Sequence, residues 1–255
     1  MLYQNYKHSA SSGNLWFDSP SAFIWRYGFK KWGKDNPRTW MGKASEQAVY
    51  AALECQGTPD EAAMVAMNNF DRFSEGEYFP EREMAGGIAK NTLDVLLKIG
   101  GKFERKTREA KKVHGLDKMV GYEIDLISSE AGIIDLKATS KMPWAEKAEP
   151  KAKWPHTRQV GLYSNLESTG NRMPVNVLYA TPKRAALCSI PSDMAELACR
   201  EVLSAFEQIE RWSNHFPTPQ EAVKFIPLNV DTFYWDSGED VIEARKLWQD
   251  CARTA

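Results

Sequence analysis

The stretch from Gly121 to Lys137, GYEIDLISSEAGIIDLK, constrains this chain more than any other. Two apolar, β-branched runs flank a short Ser-Ser-Glu-Ala-Gly turn, which is the pattern of a β-hairpin. Side chains alternate along a strand, so Ile133, Asp135 and Lys137 share one face and Ile134, Leu136 and Ala138 the other. One face is expected to be core; the other holds a carboxylate beside an ammonium. With the turn centred near Glu130, antiparallel pairing sets Asp125 opposite Asp135, with side chains roughly 5 Å apart. Two carboxylates that close repel in apolar surroundings unless a divalent cation neutralises both. The hairpin therefore predicts a metal site with Lys137 beside it.

A chain of 255 residues can bury a sizeable core, and it reads as a single domain, with a core over about 40–190 and a helical extension over about 191–255. Apolar content of 43% and charged content of 26% argue against wholesale disorder. The net charge of −1 excludes a uniformly basic nucleic-acid binder, so any such contact needs positive charge gathered locally. Lys98 to Lys118 gathers eight Lys or Arg against three acids, as either a contact surface or a solvated face would. Cys55, Cys188, Cys199 and Cys251 are scattered without a CxxC pair, which signals neither a zinc knuckle nor a disulfide framework and suggests a reducing interior. The opening MLYQNYKHSASSGNLW has no charged region leading into an apolar core, and no run approaches the ~18 apolar residues of a membrane span. A cytosolic location is the expectation.

Ahead of the hairpin the pattern is helical. In SPSAFIWRYGFKKW, Phe23, Ile24, Tyr27 and Trp32 suit a short amphipathic helix; Arg26, Lys30, Lys31 and Lys34 among them could alternatively meet a nucleic-acid strand. Trp40 to Glu46 leads into an alanine-rich helix over Gln47 to Glu54, with Glu46 near its start and Ala44, Ala48 and Ala51 allowing close approach to a sheet. Thr58-Pro59-Asp60-Glu61 is a capping box that predicts a helix to about Arg72. Another runs from about Glu81, with Met84, Ile88, Val95, Leu96 and Ile99 at helical spacing, and stops at Gly100-Gly101. Strands are predicted over Lys102 to Lys111, Met119 to Ile127 and Gly132 to Ala138, then, after a helix over Thr157 to Ser168, over Val175 to Thr181 and Ala185 to Ile190. A long helix capped by Ser192, with Met194, Leu197, Ala198, Val202, Phe206, Ile209 and Trp212 as its stripe, precedes a last helix from about Glu239 to Asp250. This order predicts an α/β fold: a central mixed sheet flanked by helices, with helical additions at both ends.

Lys141 to Pro155 has no clear period and reads as a loop beside the hairpin. Trp144 and Trp154 with Lys141, Lys147, Lys151 and Lys153, and Arg158 just beyond, suit backbone contact and base stacking; a surface loop pinned by its tryptophans is the alternative. Hydrolysing a phosphodiester needs neutralised phosphate oxygens and an activated water, and hard cations such as Mg²⁺ take carboxylate oxygens and water. Asp125 and Asp135 can seat such a cation, the Leu136 carbonyl can add a ligand, and Lys137 can position or deprotonate the attacking water. A plain Asp125–Lys137 ion pair would leave a second carboxylate without a partner.

These residues resemble the PD-(D/E)xK nuclease superfamily, and within it the RecB-like exonucleases, phage forms included. Gly121-x-x-x-Asp125 followed by Ile134-Asp135-Leu136-Lys137-Ala138-Thr139 is similar to the family's G-x-x-x-D … (D/E)-x-K-T core, with Ile124 in place of its proline. Gln159 and Tyr163, four apart on one helix face, resemble its Q-x-x-x-Y signature. Gly42-x-x-x-Glu46 resembles its G-x-x-x-(H/E) helix start, the glutamate touching the lambda-exonuclease branch, and Ser19 to Tyr27 is similar to its N-terminal segment. The resemblance implies a restriction-endonuclease-like αβββαβ core and Mg²⁺- or Mn²⁺-dependent cleavage of linear DNA by an exonuclease. Glu46, Asp125, Asp135 and Leu136 would hold metal, Lys137 would handle the water, and Gln159 and Tyr163 would fix the DNA backbone or the lysine. Implied partners are DNA and, as candidates, a single-strand annealing protein or a helicase. The implied setting is recombination, repair or phage DNA processing in the cytoplasm of a bacterium or a phage-infected host cell, away from membranes. The cysteine spacing departs from that of the iron–sulfur members, so no cluster is expected. An endonuclease of the same fold and a non-catalytic DNA-binding or assembly module are the alternatives; clustered carboxylates, which repel phosphates, suit a pure binder poorly. His156, Glu104 and Glu109 could also reach the site but carry no motif.

Overall fold

Five strands form one mixed sheet in the order β1 (Phe103–Lys112), β2 (Met119–Ser128), β3 (Gly132–Ala138), β4 (Val175–Ala180) and β5 (Ala185–Ile190). The structure, a computed structural model, describes residues 6–145, 148–168, 170, 172–232, 234–235 and 238–253. β2 and β3 pair antiparallel, with Leu126, Ile127 and Ser128 opposite Ile134, Ile133 and Gly132. The Ser128 hydroxyl closes the turn by accepting the N–H groups of Glu130 and Ala131. Gly132 has a φ of 74° and lies against the Pro174 carbonyl, where a Cβ would overlap the oxygen. Only glycine fits there, so the register cannot slide past it. Buried Asn176 of β4 adds a stitch, donating to the Ala131 carbonyl at 2.7 Å and accepting from the Ser189 hydroxyl of β5 at 2.7 Å.

β3 and β4 run parallel, with Asp135 beside Val177 and Lys137 beside Tyr179; β4 and β5 are antiparallel. A parallel neighbour requires a crossover, and α6 (Trp154–Glu167) supplies it, packing along β3 and β4. Helices α3 (Pro37–Cys55), α4 (Pro59–Phe73) and α5 (Glu81–Ile99) bury Ala44, Ala48, Phe70, Ile88, Ala89 and Leu93 together with Leu126, Ile134 and Leu178 of the sheet. Both faces of β3 are therefore covered: Ile133 and Ile134 are 0% exposed and Asp135 1%. The expectation of a single core face is corrected, because a parallel strand pair carries its own helix. The sheet, its flanking helices and the helices before and after it form the expected α/β, restriction-endonuclease-like core.

The chain divides into two compact units, one of residues 1–34, 108–122 and 199–255, the other of residues 35–107 and 123–198. In the first, α1 (Ala10–Asp18), α2 (Pro20–Phe23) and a π-helical turn (Ile24–Gly28) carry an aromatic core in which Tyr6, Trp16 and Tyr27 contact Phe23. The same unit includes α8 (Pro219–Ala222) and α9 (Gly238–Arg253).

Several boundaries differ from expectation. α1 forms where only a polar start was read, because Ser9 and Ser12 make a reciprocal capping box. α3 begins ten residues earlier than Gln47, at Pro37, since the Asn36 side chain accepts the N–H groups of Arg38 and Thr39. Glu46 thus stands mid-helix, away from the dipole at its start. Trp154 is the first residue of α6 rather than a loop residue, and Ser192 the first of α7 (Ser192–His215) rather than its cap. Met194 and Leu197 are 37% and 43% exposed, the smaller Ala195 and Cys199 taking the inward positions. Among the described residues no helix is long and apolar enough to cross a membrane.

Candidate functional site

The predicted site residues fall in the second unit. The Asp125 carboxylate accepts the Leu136 N–H at 2.7 Å. Leu136 lies between Asp135 and Lys137, so this one bond ties the acid of β2 to the stretch of β3 that carries the other, just beyond the paired residues Leu126 and Ile134. Asp135 is 1% exposed, and Lys137 Nζ stands 2.6 Å from its Oδ2. That contact is an ion pair, and neither Asp135 oxygen has a geometric hydrogen-bond partner among the described atoms. Burial pushes the Asp135 pKa up to about 7; Lys137 opposes the shift, and the charges of Asp125 and Glu46 add to it. For Lys137, burial alone would lower the pKa, yet Asp135 and Asp125 outweigh it and hold the ammonium above its ordinary value.

Glu46 approaches from α3 and accepts the Tyr50 hydroxyl at Oε1, 2.6 Å away. Burial and then Asp125 raise its pKa, against the pull of Tyr50, Arg105 and Lys137. Burial and the same carboxylates push the Tyr50 phenol well above its usual range, so it remains a donor. A cleft of about 140 Å³ opens here, lined by Gly42, Ser45, Glu46, Leu136, Lys137 and Ala138. On α6, Gln159 Nε2 donates to the Tyr163 hydroxyl at 2.9 Å, as helical spacing dictates. Tyr163 is buried, and its phenol is raised by that burial and by the charge of Asp135.

The loop residues are distributed differently. Trp144 is half-buried and sets its ring edge-on to Tyr179, with centroids 5.3 Å apart. Lys141 and Lys153 are exposed, while Trp154 and Arg158 are half-buried at the start of α6. Lys147 lies outside the described residues. The Tyr179 hydroxyl accepts the Lys153 N–H at 2.9 Å and lies 2.6 Å from His156 Nδ1. Which of the two donates depends on the imidazole tautomer. Burial, followed by the charges of Lys137 and Lys153, lowers His156 to about 3, so the ring is neutral.

Among the described residues no three Asp, Glu, His or Cys side chains form a ready cage for a metal. The donor set nonetheless suits a hard cation: a buried carboxylate with Oδ2 ion-paired to Lys137 and no hydrogen-bond partner on either oxygen, and two further carboxylates whose charges already act on it. Sequence reasoning missed Tyr50, Arg105 and Tyr179. The spacing Glu46-x-x-x-Tyr50 carried a usable signal, the same interval that joins Gln159 and Tyr163. For Arg105, whose guanidinium lies 3.4 Å from the Tyr50 ring centroid, a strand of alternating charges offered none.

No protein-family profile and no curated protein sequence matches this chain. Among solved structures, a "putative exonuclease" from Eubacterium rectale is similar over 82% of this chain and 82% of its own, with a TM-score of 0.60 and 13% identity. At that identity the likeness concerns the fold. The structure of SSO0001 covers 74% of this chain and 86% of its own at 14% identity, with a TM-score of 0.31 that carries no argument.

Proposed function

We propose that this chain is a divalent-cation-dependent nuclease that hydrolyses DNA phosphodiesters, acting as an exonuclease on linear DNA. The observation that carries this reading is Asp135, a wholly buried carboxylate with no hydrogen-bond partner on either oxygen, flanked by Asp125, Glu46 and Lys137. Such a group destabilises a fold unless a ligand completes it. The fold likeness to the "putative exonuclease" and the spacing of Gln159 and Tyr163 support the same reading.

Asp125, Asp135, Glu46 and the Leu136 carbonyl would hold Mg²⁺ or Mn²⁺, which supplies neutralisation of the phosphate oxygens when bound. Lys137, held protonated by its two aspartates, donates to the attacking water and orients it toward phosphorus. The water oxygen forms the new P–O bond while its proton passes to bulk solvent, the ester P–O bond to the leaving oxygen breaks, and that alkoxide takes up a proton from bulk solvent, so that one proton leaves and one returns. Gln159 and Tyr163 fix the acid face from α6, and the exposed Lys141 and Lys153 meet the DNA backbone. DNA recombination, repair or phage DNA processing in the cytoplasm is the setting this chemistry suits.

The test is digestion of end-labelled linear duplex and single-stranded DNA with Mn²⁺. Wild type is expected to release nucleotides, and Lys137→Ala to lose cleavage by at least ~100-fold while keeping its fold. Normal degradation by that variant would sink the mechanism. Covalently closed circular DNA, resistant under this reading, would be cut by an endonuclease.

A further inference from the structure

We infer that Arg105 grips a backbone phosphate of the strand being cleaved, and that Tyr50 links this grip to Glu46. The inference rests on the nuclease reading and adds to it a binding residue outside the Asp125–Asp135–Lys137 constellation. Alternation along β1 sends neighbouring cations to opposite faces. Lys106 pairs with Glu167 of α6, whereas Arg105 turns to α3 and stacks on Tyr50, 3.4 Å from the ring centroid. Other cations of the basic run are engaged: Lys98 with Asp94, and Lys112 with the Asp117 carbonyl. Arg105 has no ion pair or hydrogen bond to any described residue, so its planar fork of N–H donors stays open.

Arg105 and Tyr50, with Lys102 and Phe103, line a cleft of about 800 Å³ that Glu54 and Glu104 also border. A guanidinium carbon 3.4 Å over a buried phenol ring is favoured in place by cation–π attraction, which lowers the cost of ordering it on a ligand. The fork matches two oxygens of a phosphate, and phosphate contacts of this kind position a strand without reading its bases. Tyr50 is the positioning residue: its ring backs Arg105 while its hydroxyl donates to Glu46 at 2.6 Å. A phosphate held by Arg105 thus comes to lie beside the carboxylate site.

The experiment measures fluorescence anisotropy of a labelled oligonucleotide, with Ca²⁺ replacing Mg²⁺ so that binding is read without turnover. Arg105→Ala should weaken binding by about tenfold or more, and Arg105→Lys should recover only part of it, because an ammonium lacks the fork. Tyr50→Phe keeps the ring and should keep binding, yet shift upward the Mn²⁺ concentration needed for cleavage; Tyr50→Leu should lose both. Arg105→Ala binding equal to wild type overturns the proposal, as does Tyr50→Phe with an unchanged Mn²⁺ dependence. If Arg105→Ala melts early, Arg105→Gln, which keeps a stem over the ring, takes its place in the same comparison. Inorganic phosphate that competes at concentrations matching the oligonucleotide would overturn the strand as occupant in favour of free phosphate. Wild-type binding without cleavage would remove the nuclease reading and leave Arg105 standing; cleavage with unaltered Arg105→Ala binding would do the reverse.

Discussion

Glu210 and Asp135 are both acids shut away from water, and the chain around them treats them in opposite ways. In the first unit Glu210 meets His8 Nε2 at 2.9 Å and accepts the N–H groups of Asp117 and Lys118 at 2.8 and 2.7 Å. His8 stacks on Phe206, and its Nδ1 lies 3.3 Å from the Tyr6 hydroxyl. Every strong acceptor there has a donor. In the second unit Asp135 has a nearby ammonium and two oxygens without hydrogen bonds. A satisfied buried acid ties segments together, whereas an unsatisfied one weakens its fold and is retained for something that binds it.

The largest effect that separates the two is on stability. Glu210→Ala strands a histidine and two backbone donors and should lower unfolding free energy by about 3 kcal/mol, read by urea denaturation. Asp135→Asn leaves the partly exposed Lys137 with Asp125 as counter-charge and should cost only about 1 kcal/mol, while abolishing metal-dependent cleavage. Comparable losses in both variants would erase the distinction. Next in size, Mn²⁺ at about 100 times its Kd should stabilise wild type by about 2.7 kcal/mol and leave Asp135→Asn unmoved in a melting assay.

The two clusters should also respond to pH with opposite signs. Asp135 is raised from 3.8 to about 7, so between those values the folded chain keeps a proton that the unfolded chain has lost. Its contribution to metal-free stability therefore falls as pH rises through that window, and Asp135→Asn should remove the slope. His8 is lowered by burial from 6.5, so the unfolded chain takes its proton first and stability falls as pH drops below that value. For Glu210, burial alone would raise the pKa, but the Asp117 and Lys118 N–H groups and His8 hold it below 4.5; its share is present above 4.5 and lost below. The smallest expected effect is at Gly42, where an added Cβ meets only the Ala138 Cβ at 3.9 Å. Gly42→Ala should gain about 0.5–1 kcal/mol from helix propensity, measured by thermal unfolding, although a motif glycine suggests otherwise.

The contrast between the clusters tracks what could be read in advance. Strand alternation and helical spacing are local, and they were enough to bring Asp125 to the Asp135–Lys137 stretch, where it meets the Leu136 N–H, and to set Gln159 on Tyr163. The start of α3 was hidden because Asn36 caps from within a polar Lys-Asp-Asn-Pro run that reads equally well as a loop. Complete burial of Asp135 was not legible, since it depends on how the crossover helix α6 packs over the sheet, which strand alternation does not encode. Arg105 was one of eight similar cations until the sheet assigned it a face. The pairing of His8 with Glu210 spans most of the sequence, and neither residue sits in a pattern that points to the other.

Gly132 and Asn176 carry a different kind of consequence. Apolar side chains along β2, β3 and β4 would tolerate exchange, and even a shifted pairing could bury them. The glycine against Pro174 and the asparagine holding Ala131 tolerate neither. Specificity for where Asp135 stands is thus concentrated in two uncharged residues outside the carboxylate cluster. A descendant of this chain could keep all three letters, Asp125, Asp135 and Lys137, and still lose the site by changing either one.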